Sequence, residues 1–318
     1  MITSFRRNNL LCKYGSYSAI FDGVNDYAAF YPFNSTRAQP NYLPILNVTS
    51  QMICSMWVKQ DRTSVANGLK FLMSQASATS GNSSTNFFRL GYQTQTGAGA
   101  ASNQLRVTYR ANGTSNMLDS IYNLYDTNNT GITGATSSTT YWLSPSTTPG
   151  IKTNSNGFVH LCVVIDLPAI NSSFSSVGVI NLYWNSQRLV PTTETKIGTS
   201  QTNGVDATYS ILGVNVVNKI GYHEGKIDEL LATSDYYNLT SLFKTEFSLT
   251  TPQSIATFLW NYGCPPDLSD FYTTASPITN INGGSSVYRF ENNWNSENSS
   301  QLYPLIPING ATFSTDHA

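Results

Sequence analysis

The run Phe21-Asp22-Gly23-Val24-Asn25-Asp26-Tyr27 is answered about two hundred residues later by Gly225-Lys226-Ile227-Asp228-Glu229-Leu230, and this pair constrains the fold more than any other feature. The first run reads as a strand that ends in an Asp-Gly and Asn-Asp turn, then resumes at Tyr27, Ala29 and Tyr31 with the alternation of a half-buried strand. The second reads as a short strand whose carboxylates interrupt apolar positions. Together they bound one domain of about 250 residues, from 15 to 265.

Between them, Ile53 to Lys59 carries Trp57 and alternates so that both faces are apolar, as in a central strand. Further strands are expected at Gly68 to Ser74, Phe87 to Tyr92, Gln104 to Tyr109, Phe158 to Asp166 and Val179 to Trp184. Asn185-Ser186-Gln187 reads as a hairpin turn that returns through Arg188, Leu189 and Val190. After the second boundary motif the period changes: Thr251 is an N-cap, Pro252 a first-turn proline, and Ile255, Phe258, Leu259 and Tyr262 form a stripe closed by Gly263. That spacing predicts a short helix over 252–262, and Cys264-Pro265-Pro266 is a rigid exit.

The motifs FDGVNDY, MWVKQD at Met56 to Asp61, and GKIDEL, in that order, resemble the laminin-G-like, concanavalin A-like jelly rolls. The resemblance implies an all-β, antiparallel jelly-roll β-sandwich with one short C-terminal helix and an extended C-terminal segment. The helix, its proline exit and the YRFE segment at Tyr288 to Glu291 are also similar to laminin-G-like proteins encoded by tailed bacteriophages. That fold hosts lectins, glycosidases and structural modules alike, so it does not by itself assign a function.

At 318 residues, 11% charged and 40% hydrophobic, the chain suits one large sandwich with an appendage. The expected divisions are an N-terminal arm over 1–14, the sandwich over 15–265, and a C-terminal strap or assembly arm over 266–318. Basic and acidic residues nearly cancel, 17 against 18, and there is no basic run beyond Arg6-Arg7, which argues against nucleic acid or an anionic membrane as partner. No stretch approaches the roughly 20 apolar residues of a membrane span, and the N-terminus lacks the apolar core of a secretory signal. Cys12, Cys54, Cys162 and Cys264 show no CxxC spacing and read as free, mostly buried thiols.

Two intervals, Gln75 to Thr85 and Ala111 to Thr153, are dominated by Ser, Thr, Asn and Gly. The second reads as a long insertion loop on the sandwich rim, where partner contacts concentrate. Its Tyr122, Tyr125, Tyr141 and Trp142 are candidates for stacking on sugar faces, with packing beneath the loop the commoner outcome. Calcium is the one cofactor considered: relatives of this fold bind it through Asp and Asn oxygens, and Asp22, Asn25 and Asp26 supply such donors. The competing reading is an Asx turn in which the same side chains accept backbone N–H groups.

Catalysis is not expected. A glycosidase needs two carboxyl groups flanking the bond, about 5–5.5 Å apart for retention. On a regular strand Glu224 and Asp228 share a face while Glu229 points away, so EGKIDEL does not reproduce the acid set of the retaining jelly-roll glycosidases. His160, His223 and His317 accompany no GxSxG serine.

These features and the resemblance imply a non-enzymatic phage virion component, a capsid decoration or a tail or fibre protein, assembled in the host cytoplasm. Its expected partners are other virion proteins, copies of itself, and host surface glycans. The alternatives are a free carbohydrate-binding module or adhesin and, third, a glycoside hydrolase with a degenerate site.

Overall fold

The computed structural model describes residues 15–30, 51–60, 68–76, 87–94, 103–111, 116–136, 151–166, 179–198, 209–233, 251–266, 285–292, 294 and 305–318. Sixteen strands and two short α-helices lie within them. In chain order the strands are β1 (Ser18–Asp22), β2 (Tyr27–Phe30), β3 (Gln51–Lys59), β4 (Gly68–Ala76), β5 (Phe87–Thr94), β6 (Gln104–Ala111), β7 (Asn116–Asn123), β8 (Val159–Asp166), β9 (Val179–Trp184), β10 (Gln187–Arg188), β11 (Thr193–Ile197), β12 (Tyr209–Leu212), β13 (Glu224–Thr233), β14 (Ser285–Tyr288), β15 (Leu305–Ile308) and β16 (Thr312–Ser314). Helix α1 (Thr127–Thr133) lies between β7 and β8, and α2 (Pro252–Trp260) follows β13.

Every strand pairing is antiparallel, and the strands form two sheets. One runs β10-β9-β8-β3-β13-β1-β16 with β14 also on β13, the other β11-β7-β6-β5-β4-β12-β2-β15. This is the all-β jelly-roll sandwich that the sequence predicts. The boundary motifs meet as adjacent strands, Phe21 opposite Gly225 and Asp22 opposite Glu224. β3 is central and buried on both faces, as its doubly apolar pattern requires.

The core lies between the sheets. Alternate residues supply it: Phe88, Leu90 and Tyr92 from β5; Leu105, Val107 and Tyr109 from β6; Leu118 and Tyr122 from β7; Leu161, Val163 and Ile165 from β8. With side chains alternating across each strand, the residues between these face the opposite side of the sheet. The β9–β10 hairpin turns at Asn185 and Ser186, both at positive φ (48° and 68°), as a two-residue primed turn demands.

Helix α2 has the predicted Thr251 cap, and the cap is reciprocal: Ser254 N–H donates to Thr251 Oγ1 and Thr251 N–H to Ser254 Oγ, both at 3.1 Å. Its end differs from expectation. Asn261 (φ 41°) is the left-handed cap, with Tyr262 (φ 57°) and Gly263 (φ 101°) also left-handed beyond it.

The interval read as one loop over 111–153 is not a loop throughout. β7 pairs with β6 along its whole length, and α1 follows, capped by Asp126, whose carboxylate accepts from Asn128 N–H at 3.0 Å. Asn129 locks α1 to the sandwich: its Nδ2 donates to the carbonyls of Asn123 and Val190, and its Oδ1 accepts from Val190 N–H, all at 2.9 Å.

The segment after Pro265 enters both sheets. β14 pairs with the second half of β13, β15 with β2, and β16 with β1. Its Tyr288, Phe290, Trp294 and Phe313 form a chain of ring contacts with centroids 4.7–6.3 Å apart. That chain reaches Phe21, whose ring lies 6.5 Å from Trp294. The carboxylate of Glu291 accepts Ser16 N–H at 2.9 and 3.0 Å, tying the tail to the start of β1.

Cys54 and Cys162 are free and buried, as expected, and burial pushes the Cys54 thiol up to about 12. Cys264 departs from the expectation of free thiols, because it is disulfide-bonded. Cys12 lies outside the described residues, as does the expected arm over 1–14.

Candidate functional site

The turn between β1 and β2 spends its carboxylates on the backbone. Asp22 Oδ1 accepts the N–H groups of Val24, Asn25 and Asp26 at 2.8, 3.1 and 3.1 Å, and Asp26 Oδ2 accepts Asp22 N–H at 3.2 Å. Burial works to raise the Asp22 pKa, but these hydrogen bonds outweigh it and hold the group below its ordinary value. Burial, then the neighbouring Asp22 charge, raises Asp26. The arrangement is an Asx turn. Among the described residues no group of three or more His, Cys, Asp or Glu side chains is placed to hold a metal ion.

Of the candidate stacking aromatics, the two described residues are not exposed. Tyr122 is fully buried and donates to Ile180 O at 3.2 Å, a bond that crosses from one sheet to the other. Tyr125 is partly buried against the core, while Tyr141 and Trp142 lie outside the described residues.

The acids of β13 are structural in their contacts. A bulge between Asp228 and Leu231, with Glu229 at φ 47°, breaks the simple alternation expected of EGKIDEL, and Ile227 and Leu230 both reach the core. Asp228 is fully buried and accepts Glu229 N–H at 2.8 Å and Ala318 N–H at 3.0 Å. Burial raises its pKa to about 7. Glu229 forms a buried ion pair with Arg289 at 3.1 Å, and Arg289 also donates to Pro266 O.

Two of the histidines, His160 and His223, are also interior. His223 lies against Tyr92, whose hydroxyl is 2.9 Å from Nδ1, rather than pairing with the adjacent Glu224. His160 Nε2 sits 2.7 Å from Ser55 Oγ, a serine–histidine contact with both residues almost wholly buried and no carboxylate on His160 Nδ1. Burial pushes both imidazoles down to about 3, so both are neutral.

Among the described residues a cleft lies on the face of the second sheet that points away from the core. It has a volume of about 110 Å³ and is lined by Leu69 and Phe71 from β4, Phe87, Arg89 and Gly91 from β5, Arg106 and Thr108 from β6, and Met117 from β7. Strand alternation places them there: Phe87, Arg89 and Gly91 are the residues between the core positions of β5, and Arg106 and Thr108 those between the core positions of β6. Gly91 is required by the close approach of β4, since a Cβ there would stand 2.5 Å from Lys70 O. One side of the face is already covered. Val214, Val216 and Val217 pack with Phe87, Ala76 and Ile211, and Ser74 Oγ holds that segment by donating to Val214 O and accepting Val216 N–H.

Three arginines converge on the cleft, and they are not equivalent. Arg106 is fixed in a bidentate pair with Asp119, at 2.9 and 2.8 Å, while Thr108 Oγ1 donates to the same carboxylate at 2.6 Å. The hydrogen bonding to Asp119 raises the Arg106 pKa against the cost of burial. Arg110 lies with its guanidinium carbon 5.4 Å from the Phe87 ring centre. Arg89 stacks on that ring at 3.8 Å, and its Nε is buried with no hydrogen-bond partner. Burial first, then the like charges of Arg106 and Arg110, lowers the Arg89 pKa to about 10. The same face continues past the cleft to Gln104, which donates to Asn123 at 2.6 Å.

Sequence reasoning missed this site. The usable signal was the placement of Arg89, Arg106 and Arg110 on the polar positions of two strands, FFRLGYQT and QLRVTYRA, that pair with each other.

No protein-family model and no curated protein sequence matches the chain. Solved structures do resemble it at low identity. The carbohydrate-binding module, CBM40, of the Ruminococcus gnavus IT-sialidase is 14% identical with a TM-score of 0.36, over 74% of this chain and 98% of that one. Domains LG4-5 of the mouse laminin alpha1 chain are 12% identical with a TM-score of 0.36, over 69% and 41%. The NanB sialidase of Streptococcus pneumoniae is 15% identical with a TM-score of 0.32, over 62% and 24%. The chain therefore spans nearly the whole Ruminococcus module but less than half of the laminin pair and about a quarter of NanB. Among the described residues no helix is long and apolar enough to cross a membrane.

Proposed function

We propose that this protein is a non-catalytic carbohydrate-binding sandwich that engages its ligand on the outer face of the second sheet. The observation that carries the reading is the cleft over β4–β7, where apolar Leu69, Phe71 and Met117 sit beside hydrogen-bonding Arg89, Arg106 and Thr108 on rigid strands. Apolar patches for sugar ring faces beside fixed polar groups for hydroxyls are what glycan recognition requires. The cleft is smaller than the roughly 300–1,000 Å³ of a full small-molecule site. It suits one substituent of a longer ligand that lies across the open sheet toward Gln104 and Asn123. The buried acids and histidines described above, all occupied within the fold, support a role without catalysis. The Cys264 disulfide favours action in an oxidising milieu.

A place in a phage particle, as a capsid decoration or on a tail or fibre, is supported by the sequence resemblance of the helix, proline exit and YRFE segment, and is the setting in which host glycans would be met. The terminal segment, expected to be a strap or an assembly arm, contributes β14–β16 to its own sheets, which favours the glycan-binding role over a purely architectural one.

The test is a glycan array probed with the full chain, followed by titration of retained oligosaccharides against the wild type and Met117→Trp, a change that fills the cleft from its rim without adding charge. Saturable binding weakened about tenfold or more by the variant is expected. Retention of no oligosaccharide, or equal binding by the variant, would refute the reading.

A further inference from the structure

We propose that the cleft selects glycans carrying an acidic substituent, a carboxylate or a sulfate, and that Arg89 is the residue that anchors that group. This rests on the glycan-binding reading and adds the charge class of the ligand and the residue that sets it.

Arg89 and Arg106 line the cleft, Arg110 lies beside the same Phe87 ring, and Asp119 is the carboxylate bonded among them. Asp119 is committed twice over, to both nitrogens of the Arg106 fork and to the Thr108 hydroxyl. It neutralises Arg106 and holds that side chain in one orientation across the sheet. Arg89 is left as a cation with its Nε buried and unpaired, its plane fixed against Phe87. A buried guanidinium N–H without an acceptor is costly, and the cost is recovered when an anion arrives. The like charges of Arg106 and Arg110 add to this, because each disfavours the Arg89 charge until a negative group enters among them.

The geometry also selects among anions. Stacking on Phe87 presents the Arg89 fork edge-on, the approach that suits a planar carboxylate or two sulfate oxygens accepting in parallel. Phe71, with the Arg89 guanidinium carbon 6.0 Å from its ring centre, and Leu69 supply apolar contact for the ring that bears the group. Arg106, with its side chain 42% exposed, lies at the solvent-facing side of the cleft.

The experiment is titration calorimetry of the full chain with matched oligosaccharides: lactose, 3′-sialyllactose and 3′-sulfolactose, repeated with Arg89→Gln and Arg89→Lys. Circular dichroism and thermal unfolding first establish that each variant folds, and the lysine variant serves if glutamine is not tolerated. Expected is binding of at least one acidic sugar about tenfold or more tighter than lactose, weakened on raising salt. Arg89→Gln removes that preference, lowering the affinity for the acidic sugar to about that for lactose, and Arg89→Lys restores part of it. Equal binding of neutral and acidic sugars would overturn the charge class while leaving the glycan reading standing. An acidic preference that survives Arg89→Gln would overturn the role of Arg89. Absence of binding to all three, together with an empty array, would overturn the glycan reading and this inference with it.

Discussion

Replacing Asp228 with asparagine is expected to change how the stability of this protein depends on pH. The carboxyl is fully buried in the β13 bulge, and burial raises its pKa from 3.8 to about 7. A raised folded-state pKa means that the protonated acid is the form the fold prefers. The stability from this group is fully present below about pH 4 and is lost as pH rises through about 7. At 1.36 kcal/mol per pKa unit, the loss is on the order of 4 kcal/mol. That figure is net: burial and the Glu291 charge raise the pKa against the N–H donors of Glu229 and Ala318 and the nearby Arg289, which favour the anion. His160 and His223 act in the opposite sense. Their folded pKa values, lowered to about 3, make stability complete above about pH 6.5 and diminish it as pH falls. The wild-type curve alone would therefore mix two slopes, and the difference between wild type and variant isolates one. Asparagine keeps one acceptor and cannot satisfy both N–H groups, a pH-independent cost of about 1–3 kcal/mol. Urea denaturation at pH 4, 5, 6, 7 and 8 is expected to show the variant less stable at pH 4, with the gap narrowing or reversing by pH 8. A gap that stays constant across that range would refute the assignment of a buried, titrating Asp228.

Tyr122→Phe deletes the hydroxyl that bonds Ile180 O across the two sheets and should cost about 1 kcal/mol in denaturant unfolding, with glycan binding unchanged, because the side chain does not reach the surface. A loss of sugar affinity in this variant would restore the tyrosine to the binding surface. Arg289→Met removes the guanidinium from the buried Glu229 carboxylate and should destabilise the protein by about 3–5 kcal/mol, whereas the double variant Arg289→Met with Glu229→Leu should recover much of that. Equal losses in the single and double variants would mean that the pair is not the source of the effect.

How much of this was legible in the sequence depended on whether an element carried its own pattern. β3, β5, β6 and β8 alternate or run apolar over seven or more residues, and α2 bears its cap, proline and stripe together, so all could be placed in advance. β7 was hidden because NMLDSIYN puts Ser120 on a buried position and Asp119 and Asn123 on the polar face, which makes it read as loop. Helix α1 was hidden because TNNTGIT contains no strong helix former, and what holds it is the Asp126 cap and the Asn129 bonds. β14–β16 are three or four residues long, and β15 contains Pro307, tolerable because that strand is the sheet edge. The arginine cluster required register. Net charge near zero conceals three guanidiniums gathered on one patch, and only the pairing of Arg89 with Thr108 and of Thr108 with Asp119 reveals that they meet.

The strands nearest the two ends of the chain lie side by side, with Ser18 opposite Ser314 and Tyr27 opposite Ile308. During vectorial synthesis β1 and β2 emerge about two hundred residues before β12 and β13 and nearly three hundred before β15 and β16, so all their partners arrive late. Such distant pairings close slowly, and until they do, two sheet edges stand open as templates for another copy's strands. A chain cut after Pro265 would keep those edges permanently. It is expected to be aggregation-prone during production, so that shortened versions made to simplify this protein would lose the very segment that covers those edges.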